Sequence, residues 1–361
     1  MSDPTDSEGR RREREALAEA ITLSRSALGV TTPNPPVGAV VLDNDGRVAG
    51  RGVTEAAGGH HAEVVALNAA GALARGGTLV VTLEPCDHQG RTGPCTARAL
   101  EAGVSRVVYA VADPTREAAG GARSLRFAGV DVTQADDDEV HAAENGPLRA
   151  WLHRQRVGRP FVTWKYAASL DGRVAAADGT SRWITGPDSR RHAHGRRQEV
   201  DALVVGTGTL AADDPALTAR LDDGRPAARQ PLRAVMGLTD VPDDAAVRGT
   251  DGRFRHLATR DAARALDMLG DVNHVLVEGG PRLAGAFLSA GLVDEIDAYL
   301  APIVLGAGRP AVEGSGVHTL AAAHGFTVLQ TTVLGTDIHV RLDAHPTTGR
   351  FDPVDTTRGP R

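Results

Sequence analysis

Short apolar runs alternate with longer amphipathic stretches along the chain. In the first half, three runs rich in Val and Leu cover residues 37–42, 78–83 and 106–111. Stretches with the spacing of amphipathic helices cover residues 14–28, 61–74 and 96–102. Because apolar runs of about four to eight residues are typical of buried strands, this order predicts an α/β domain with a layered sheet.

The second half repeats the alternation. Its predicted strands cover residues 161–165, 202–205, 231–236, 274–277 and 295–301, and a predicted helix covers 283–290. Residues 221–229 have no periodicity and are rich in Asp, Arg and Ala, which indicates a surface loop. Between the halves, a helical segment ends in Val157-Gly158-Arg159-Pro160, a sequence that stops helices. The pattern therefore predicts a second α/β domain.

The predicted organisation has tails at both ends of two domains. Residues 1–13 and 344–361 are polar and charged, so they are predicted to be disordered tails. Residues 14–146 form the first domain, residues 147–157 a linker helix and residues 158–343 the second domain. A chain of 361 residues exceeds the usual size of one hydrophobic core, which agrees with two domains.

Charge and composition exclude several classes of protein. The formal net charge is −6 and no block of Lys or Arg stands out, so neither nucleic acid nor a membrane surface is an expected partner. The N-terminus lacks the apolar core of a signal peptide and no run of about 18 apolar residues occurs, so we expect a cytoplasmic protein. Cys86 and Cys95 are the only cysteines, too few for a disulfide framework.

The sharpest local pattern joins His61-Ala62-Glu63, Glu84-Pro85-Cys86 and Cys95. One imidazole and two thiolates suit a tetrahedral zinc ion that keeps its fourth position for water. A carboxylate beside the metal can move a proton from that water to a departing amine. Each piece alone has a plainer interpretation, because His-Ala-Glu is a common tripeptide and two cysteines can form a loop disulfide or stay buried as thiols. The combination in this order predicts a catalytic zinc site for hydrolytic deamination.

His-Ala-Glu followed by Pro-Cys resembles the zinc nucleoside and nucleobase deaminases. The long loop from Cys86 to Cys95 is similar to the deaminase of riboflavin biosynthesis, as are residues 31–40 and Asp113-Pro114. The similarity covers about residues 14–146 and implies an N-terminal cytidine-deaminase-like α/β/α sandwich.

This resemblance also implies a role for each residue of the site. The implied Zn²⁺ ligands are His61, Cys86 and Cys95, with Glu63 as the catalytic proton shuttle, and the implied substrate-binding residues are Asn34, His88, Arg91 and Asp113. From the residues alone, Asn34 and Asp113 can equally shape turns beside their prolines. Arg91 is a reasonable partner for a phosphate, which guanidinium groups bind in a bidentate manner.

In the second half, the strand Val275-Leu276-Val277 leads through Glu278-Gly279-Gly280-Pro281 into a helix. Glycines and a helix N-terminus favour a phosphate, so a cofactor can dock there, although the segment alone is equally an ordinary strand-to-helix turn. The Rossmann pattern Gly-x-Gly-x-x-Gly does not follow a strand in this sequence.

Further motifs occur in order at residues 165–173, 183–185, 206–209 and 212–215. Together they resemble the reductase of the riboflavin pathway over about residues 158–343, which implies a dihydrofolate-reductase-like α/β domain. The implied NADPH-binding residues are Lys165, Ala167, Trp183, Thr209, Asp213, Gly280, Pro281, Arg282, Leu283, Ala284, Gly285 and Ala286. The implied substrate-binding residues are Ser181, Arg197, Leu217, Arg220 and Glu278. Lys165 and Glu278 can also assist proton movement.

Four positions depart from these families. The deaminases usually have His in the segment that ends at Thr54 and Asn at Thr115, and the reductases usually have Asp-Ser at Gly237-Leu238. These departures leave open the choice of pyrimidine and the preference between NADPH and NADH. His192 and His194 can suggest a second metal site, but the arginines beside them predict a solvated helix face.

The resulting prediction is a bifunctional enzyme acting on small molecules. The first domain deaminates 2,5-diamino-6-(5-phosphoribosylamino)pyrimidin-4-one, and the second reduces the ribosyl group of 5-amino-6-(5-phosphoribosylamino)uracil to ribityl with NADPH. The resemblance also implies a homodimer or homotetramer. Three alternatives stay open: a diverged paralogue that makes another flavin-like or pteridine-like metabolite, a tRNA or DNA deaminase, which the acidic balance disfavours, and a non-catalytic binding protein with a vestigial zinc set.

Overall fold

The computed structural model describes residues 4–88 and 93–344. Its contacts divide the chain into two compact units, Met1–Pro160 and Phe161–Arg361. The boundary falls directly after the Gly158-Arg159-Pro160 segment that the sequence marks as a break.

The first unit has a five-stranded mixed sheet in the order β2-β1-β3-β4-β5. Its strands are β1 (Gly38–Leu42), β2 (Val48–Val53), β3 (Thr78–Leu83), β4 (Arg106–Val111) and β5 (Asp131–Gln134). Its helices are α1 (Pro4–Ser24), α2 (Ala62–Ala70), α3 (Cys95–Ala102), α4 (Gly121–Phe127), α5 (Asp137–Glu144) and α6 (Arg149–Val157), and short 3₁₀ turns follow α1 and α2. Strand β1 is antiparallel to both of its neighbours, whereas β3, β4 and β5 are parallel.

Helices cover both faces of this sheet. A Cβ at Gly38 would lie 2.0 Å from the carbonyl oxygen of Ala20 in α1, and a Cβ at Gly52 would lie 2.1 Å from that of Ala62 in α2. Gly52 pairs with Ala39, the neighbour of Gly38 in β1, and successive strand residues point to opposite faces. Helices α1 and α2 therefore pack on opposite faces, which confirms the α/β/α sandwich.

Two boundaries of the first unit correct the sequence prediction. Helix α1 begins at Pro4 rather than at residue 14, so residues 4–13 are helical and not a disordered tail. Charge pairs at helical spacing support this start, since Arg11 pairs with Glu8 and Glu15. Helix α6 is not a separate linker, because Trp151 and Leu152 lie in the hydrophobic core of the first unit.

The second unit is built on an eight-stranded sheet in the order β10-β9-β8-β11-β6-β12-β15-β14. Its strands are β6 (Phe161–Ser169), β7 (Arg173–Ala175), β8 (Ala202–Gly206), β9 (Leu232–Met236), β10 (Phe254–Leu257), β11 (His274–Val277), β12 (Glu295–Ala301), β13 (Arg309–Pro310), β14 (Phe326–Leu334) and β15 (Asp337–Ala344). Its helices are α7 (Pro187–Gln198), α8 (Thr207–Asp213), α9 (Ala262–Leu269) and α10 (Pro281–Ser289). Strands β7 and β13 form a separate ribbon.

The strands of the second unit contribute side chains to two hydrophobic cores, one on each face of the sheet. In β8, Ala202 and Val204 belong to the core beneath α9 and α10, whereas Leu203 and Val205 belong to a second core with Leu210 of α8. Because alternate residues of a strand face opposite sides, the sheet is covered on both faces, as parallel sheets are. The α/β class predicted for this half is confirmed.

The remaining predictions about the chain are partly tested. Residues 221–229 contain no helix or strand, in agreement with the predicted loop. Residue 344, the first of the predicted C-terminal tail, is the last residue of β15, and residues 345–361 lie outside the described part. Among the described residues, no helix has the length and apolar character needed to span a membrane.

Candidate active sites

Three elements of the first unit converge on one cluster of metal-binding side chains. His61 is the residue before α2, Cys86 lies in the loop after β3, and Cys95 is the first residue of α3. The Nδ1 atom of His61 lies 3.6 Å from Sγ of Cys86 and 3.3 Å from Sγ of Cys95. One ligand atom from each residue falls within 4.8 Å of the others. The predicted ligand set is therefore brought together.

The cluster has the chemistry of a zinc site with an open position. Both cysteines are free thiols and buried, and His61 is half-buried. The backbone N–H of Cys95 donates to Sγ of Cys86 at 3.5 Å. The thiol of Cys95 beside it lowers the pKa of Cys86, although burial opposes this effect and His61 supports it. Imidazole and thiolates are ligands that zinc prefers, and three protein ligands are typical of a catalytic zinc site.

Glu63 lies in the first turn of α2, two positions after His61, and only 4% of it is exposed. Burial raises the pKa of Glu63 to about 6, with a smaller opposing effect from His61. Glu63 lines the same cavity as His61 and Cys86. A buried carboxyl whose pKa lies near neutrality can both take up and release a proton, which is what a deaminase needs from its acid–base group.

A cavity of about 260 Å³ opens beside the cluster. Of the predicted substrate-binding residues, Asn34, His88 and Asp113 line it, and so do the departure positions Thr54 and Thr115. Arg91, the predicted phosphate partner, lies outside the described residues. The cavity volume is slightly below the range of about 300–1,000 Å³ that is typical of small-molecule sites.

Thr54 and Thr115, the two cavity positions that depart from the family pattern, already make hydrogen bonds within the protein. The hydroxyl of Thr54 accepts the backbone N–H of Val37 at 3.3 Å. The hydroxyl and the backbone N–H of Thr115 both donate to Oδ1 of Asp113, at 2.6 and 2.8 Å. Thr115 therefore fixes the orientation of Asp113, and burial raises the pKa of this carboxyl.

Sequence analysis assigned no role to several further residues that line the cavity, among them Glu84, Glu117, Trp151 and Gln155. Trp151 and Gln155 lie four positions apart on α6, so they share a helix face. Glu84 accepts the backbone N–H groups of Asp113 and Ala122, at 3.2 and 2.9 Å. The i, i+4 spacing in α6 was the available signal, but it lay in a segment interpreted as a linker.

In the second unit, a buried ion pair joins two of the predicted substrate-binding residues. Arg197 donates from Nε and Nη2 to the two carboxylate oxygens of Glu278, each at 2.7 Å. Lys165 Nζ lies 3.7 Å from Oε2 of Glu278. Burial alone would raise the pKa of Glu278, but Arg197 and Lys165 lower it to about 2. The carboxylate therefore remains ionised between two cations.

The other predicted substrate-binding residues of this unit differ in their exposure, and Arg220 is linked to Arg197 through Thr218. Arg220 is exposed, with its guanidinium 3.3 Å from the hydroxyl of Thr218, whose carbonyl accepts from Arg197 at 3.1 Å. Leu217 has a φ of 50° and a side chain buried in the core, so only its main chain is free to contact a ligand. Ser181 is half-buried in the loop before α7.

Several predicted cofactor residues meet at the start of α10. The hydroxyl of Thr209 in α8 accepts the backbone N–H of Gly280 at 3.1 Å, and Pro281 opens α10. The Arg182 guanidinium donates to the backbone carbonyl oxygen of Asp213, at the end of α8, at 3.0 Å. This contact brings the loop that contains Trp183 to α8. Trp183 is exposed, and the Arg190 guanidinium lies 4.5 Å from its ring centre.

The remaining predicted cofactor residues differ in their exposure. Leu283, Ala284 and Gly285 are buried, Ala286 is half-buried, Arg282 is exposed, and Ala167 is half-buried in β6. The side chains of Leu283 and Ala284 belong to the hydrophobic core, so packing is their observed contact. At the departure Gly237, φ is 146° and a Cβ would lie 2.6 Å from Cγ2 of Thr207, which explains why glycine stands there. Leu238 is 58% exposed.

Comparison with known families matches each half of the chain separately. Residues 160–340 match the family described as RibD C-terminal domain. Residues 10–111 match the cytidine and deoxycytidylate deaminase zinc-binding region. The two matches correspond to the two units of the structure.

Curated proteins match nearly the full length. A riboflavin biosynthesis protein RibD of Mycobacterium tuberculosis is 51% identical over 330 residues, which covers 91% of this chain and 97% of the relative. A protein of the same name from Escherichia coli is 37% identical, with 90% of this chain and 98% of the relative covered.

Solved structures show the same architecture. Acinetobacter baumannii RibD has a TM-score of 0.83 and 33% identity, covering 93% of this chain and 99% of that one. A diaminohydroxyphosphoribosylaminopyrimidine deaminase/5-amino-6-(5-phosphoribosylamino)uracil reductase from Thermotoga maritima has a TM-score of 0.83 and 30% identity, with the same coverage.

Proposed function

This chain belongs to the RibD family of bifunctional riboflavin biosynthesis proteins, and from that premise we propose which of its residues carry each reaction. It is a zinc-dependent deaminase and an NADPH-dependent reductase. The observation that carries the proposal is the cluster of His61, Cys86 and Cys95 beside a cavity that Glu63 also lines, in the unit that matches the zinc-binding family.

In the first unit, His61, Cys86 and Cys95 hold the zinc ion. Bound zinc supplies the Lewis acidity that activates water. Glu63 accepts the proton of the attacking water and delivers it to the nitrogen that leaves as ammonia. Asn34, His88 and Asp113 orient the pyrimidine, and Arg91 binds its phosphate. The substrate is 2,5-diamino-6-(5-phosphoribosylamino)pyrimidin-4-one, in agreement with the name of the Thermotoga relative.

In the second unit, the deaminated pyrimidine is reduced at its ribosyl group. NADPH supplies the hydride when it is bound, held by the start of α10, Thr209 and the loop of Trp183. Ser181, Arg197, Leu217 and Arg220 position the phosphoribosylamino chain. The Lys165 ammonium moves the proton at the ribosyl group as the ring opens, and the ionised carboxylate of Glu278 holds that ammonium in place. The bidentate contact of Arg197 with Glu278 supports this proposal, because it fixes the carboxylate before substrate binds.

The test of the overall function uses the full chain with the diaminopyrimidine nucleotide, with and without NADPH. Without NADPH, we expect ammonia and the uracil nucleotide; with NADPH, we expect the ribityl product and equimolar NADPH oxidation, both followed by mass spectrometry. A diverged paralogue would leave this substrate unchanged. A nucleic-acid deaminase would instead deaminate RNA or DNA oligonucleotides. Metal analysis distinguishes a binding protein with a vestigial site, since that protein would contain no stoichiometric zinc.

We also propose that the enzyme is cytoplasmic and a homo-oligomer that assembles through β14 and β15. Strand β14 is at the sheet edge, and Leu329, Val333 and Ile338 on these two strands are 47%, 71% and 41% exposed. Val333 and Ile338 are direct partners in the ladder, so they form one apolar patch. An exposed apolar sheet edge is a surface that proteins cover or pair.

Replacing Val333 by Asp should therefore reduce the mass of the particle. We expect light scattering after size-exclusion chromatography to show the wild type as a dimer or tetramer and Val333→Asp as a monomer at micromolar concentration. Phe127→Asp is the matched control, since Phe127 is 96% exposed on the first unit and is not on this patch. A wild-type protein that is already monomeric would refute the proposal, as would an unchanged mass for Val333→Asp.

A further inference from the structure

Helix α7 packs on the sheet of the second unit through charged and polar side chains. Beneath it lie Glu295, Asp297 and Tyr299 of β12 and His339 of β15, each at most 4% exposed. Because a buried charge is costly unless it is paired, the contacts of this layer need an explanation. The guanidinium of Arg196 in α7 lies 3.0 Å from Asp297 and 3.1 Å from Glu295.

Tyr299 contacts two histidines of this group of residues, His192 and His339. Its hydroxyl lies 2.8 Å from Nδ1 of His192 in α7. Its ring centre lies 4.6 Å from that of His339, and the two planes are inclined by 33°. His339 is itself fixed by Asp297, 3.0 Å from its Nε2. The predicted solvated face at His192 is therefore wrong, because this residue is half-buried and bonded to the sheet.

The Tyr299 ring also faces Lys165, which lies on the neighbouring strand β6. Nζ of Lys165 lies 5.5 Å from the centre of the ring and 3.7 Å from Oε2 of Glu278. An ammonium group over the face of an aromatic ring within about 6 Å is attracted to the negative face of the ring. Burial raises the pKa of Tyr299, so the ring stays a neutral phenol.

We propose that Tyr299 is a positioning residue of the reductase site, whose ring face holds the Lys165 ammonium against Glu278. The inference rests on the proposed function of Lys165 and Glu278. A lysine side chain has four rotatable bonds and a single point charge, so a carboxylate alone leaves it several orientations. The ring restricts Lys165 on one side while Glu278 restricts it on the other. His339 acts through Tyr299, because its ring lies against the Tyr299 ring and fixes the tilt of that ring.

The test uses the full-length enzyme and distinguishes the effect of the Tyr299 ring from the effect of its hydroxyl. Tyr299→Phe keeps the ring, and we expect its reductase kcat to stay within about twofold of the wild type. Tyr299→Leu and Tyr299→Met remove the ring, and we expect kcat to fall about tenfold while the KM values for NADPH and the uracil substrate change less than about twofold. Met is included because its flexible side chain refills the space if Leu packs badly.

A matched control removes another ring that lies under a cation. The Arg248 guanidinium lies 4.9 Å from the ring centre of Phe254, on the far edge of the same sheet. Phe254→Leu should lower the melting temperature of the second unit and leave kcat unchanged. The deaminase rate of each preparation serves as an internal measure of active protein.

The outcomes distinguish failure of the positioning role of Tyr299 from failure of the proposed role of Lys165. If the ring-free variants keep kcat within twofold of Tyr299→Phe, or if Tyr299→Phe loses as much as they do, Tyr299 does not position Lys165. Lys165→Met tests the premise. A Lys165→Met enzyme with wild-type kcat would refute the proposed role of Lys165 itself, whereas an inactive one beside active ring-free variants would refute only the positioning by Tyr299.

Discussion

The Glu63→Gln enzyme is expected to release ammonia at least about 10²-fold more slowly than the wild type while it retains one zinc ion per chain. Gln has nearly the same size as Glu but cannot accept the proton of water. The metal should remain, since His61, Cys86 and Cys95 form the ligand cluster without Glu63. Ammonia release measures the activity, and elemental analysis of the purified protein measures the zinc.

Two controls accompany this variant. Glu101→Gln makes the same change on the exposed surface of α3, where the carboxylate pairs with Arg98, and it should keep the full rate. Reduction of supplied uracil nucleotide by the Glu63→Gln protein should also be normal, because the second unit has its own core. Ammonia release at the wild-type rate would contradict the assignment of Glu63 as the proton shuttle. Loss of zinc would show instead that Glu63 supports the metal.

The sequence analysis was most accurate for strands in which nearly every residue is buried. Strands β3 and β4 have the predicted bounds because every position after the first is buried, so their apolar runs are continuous. Strand β2 was missed, since Val48–Val53 contains two glycines, which propensity disfavours in strands. Those glycines are needed there, because a Cβ at Gly50 would lie 2.2 Å from a carbonyl oxygen of α2.

In the candidate sites, residues within short sequence motifs were predictable, whereas residues brought together by packing of distant segments were not. The zinc cluster was predictable, because each ligand belongs to a short motif with recognisable chemistry. The contribution of Trp151 to the cavity lining was not predictable, since it depends on how α6 packs beside the cavity. Lys165 and Tyr299 face each other only because β6 and β12 are parallel neighbours, and no spacing in the sequence records that pairing. The solvated face predicted at His192 was wrong for a related reason, because His192 is half-buried against polar residues of the sheet.

Replacing Arg197 by Met is expected to abolish reduction while ammonia release continues, so that the uracil nucleotide accumulates even with excess NADPH. Arg197 makes two guanidinium contacts to Glu278, each at 2.7 Å, and Met leaves that carboxylate with Lys165 alone. Removing one partner of a buried ion pair costs up to roughly 3–5 kcal/mol of stability, and we expect a smaller cost here because Lys165 still compensates part of the charge of Glu278. Product analysis by mass measures the activity, and denaturant unfolding of the second unit measures the stability.

The double variant Arg197→Met with Glu278→Gln separates stability from catalysis. Neutral Gln removes the carboxylate charge that Arg197→Met leaves only partly compensated, so we expect the double variant to regain part of the lost stability. Reduction should stay absent, since the carboxylate and the guanidinium are both missing. Arg191→Met is the surface control on the same helix; its pair with Asp188 is exposed, and losing it should cost at most about 1 kcal/mol. If Arg197→Met reduces the uracil nucleotide within a few-fold of the wild-type rate, the pair with Glu278 is a structural contact and the reductase chemistry lies elsewhere in the unit.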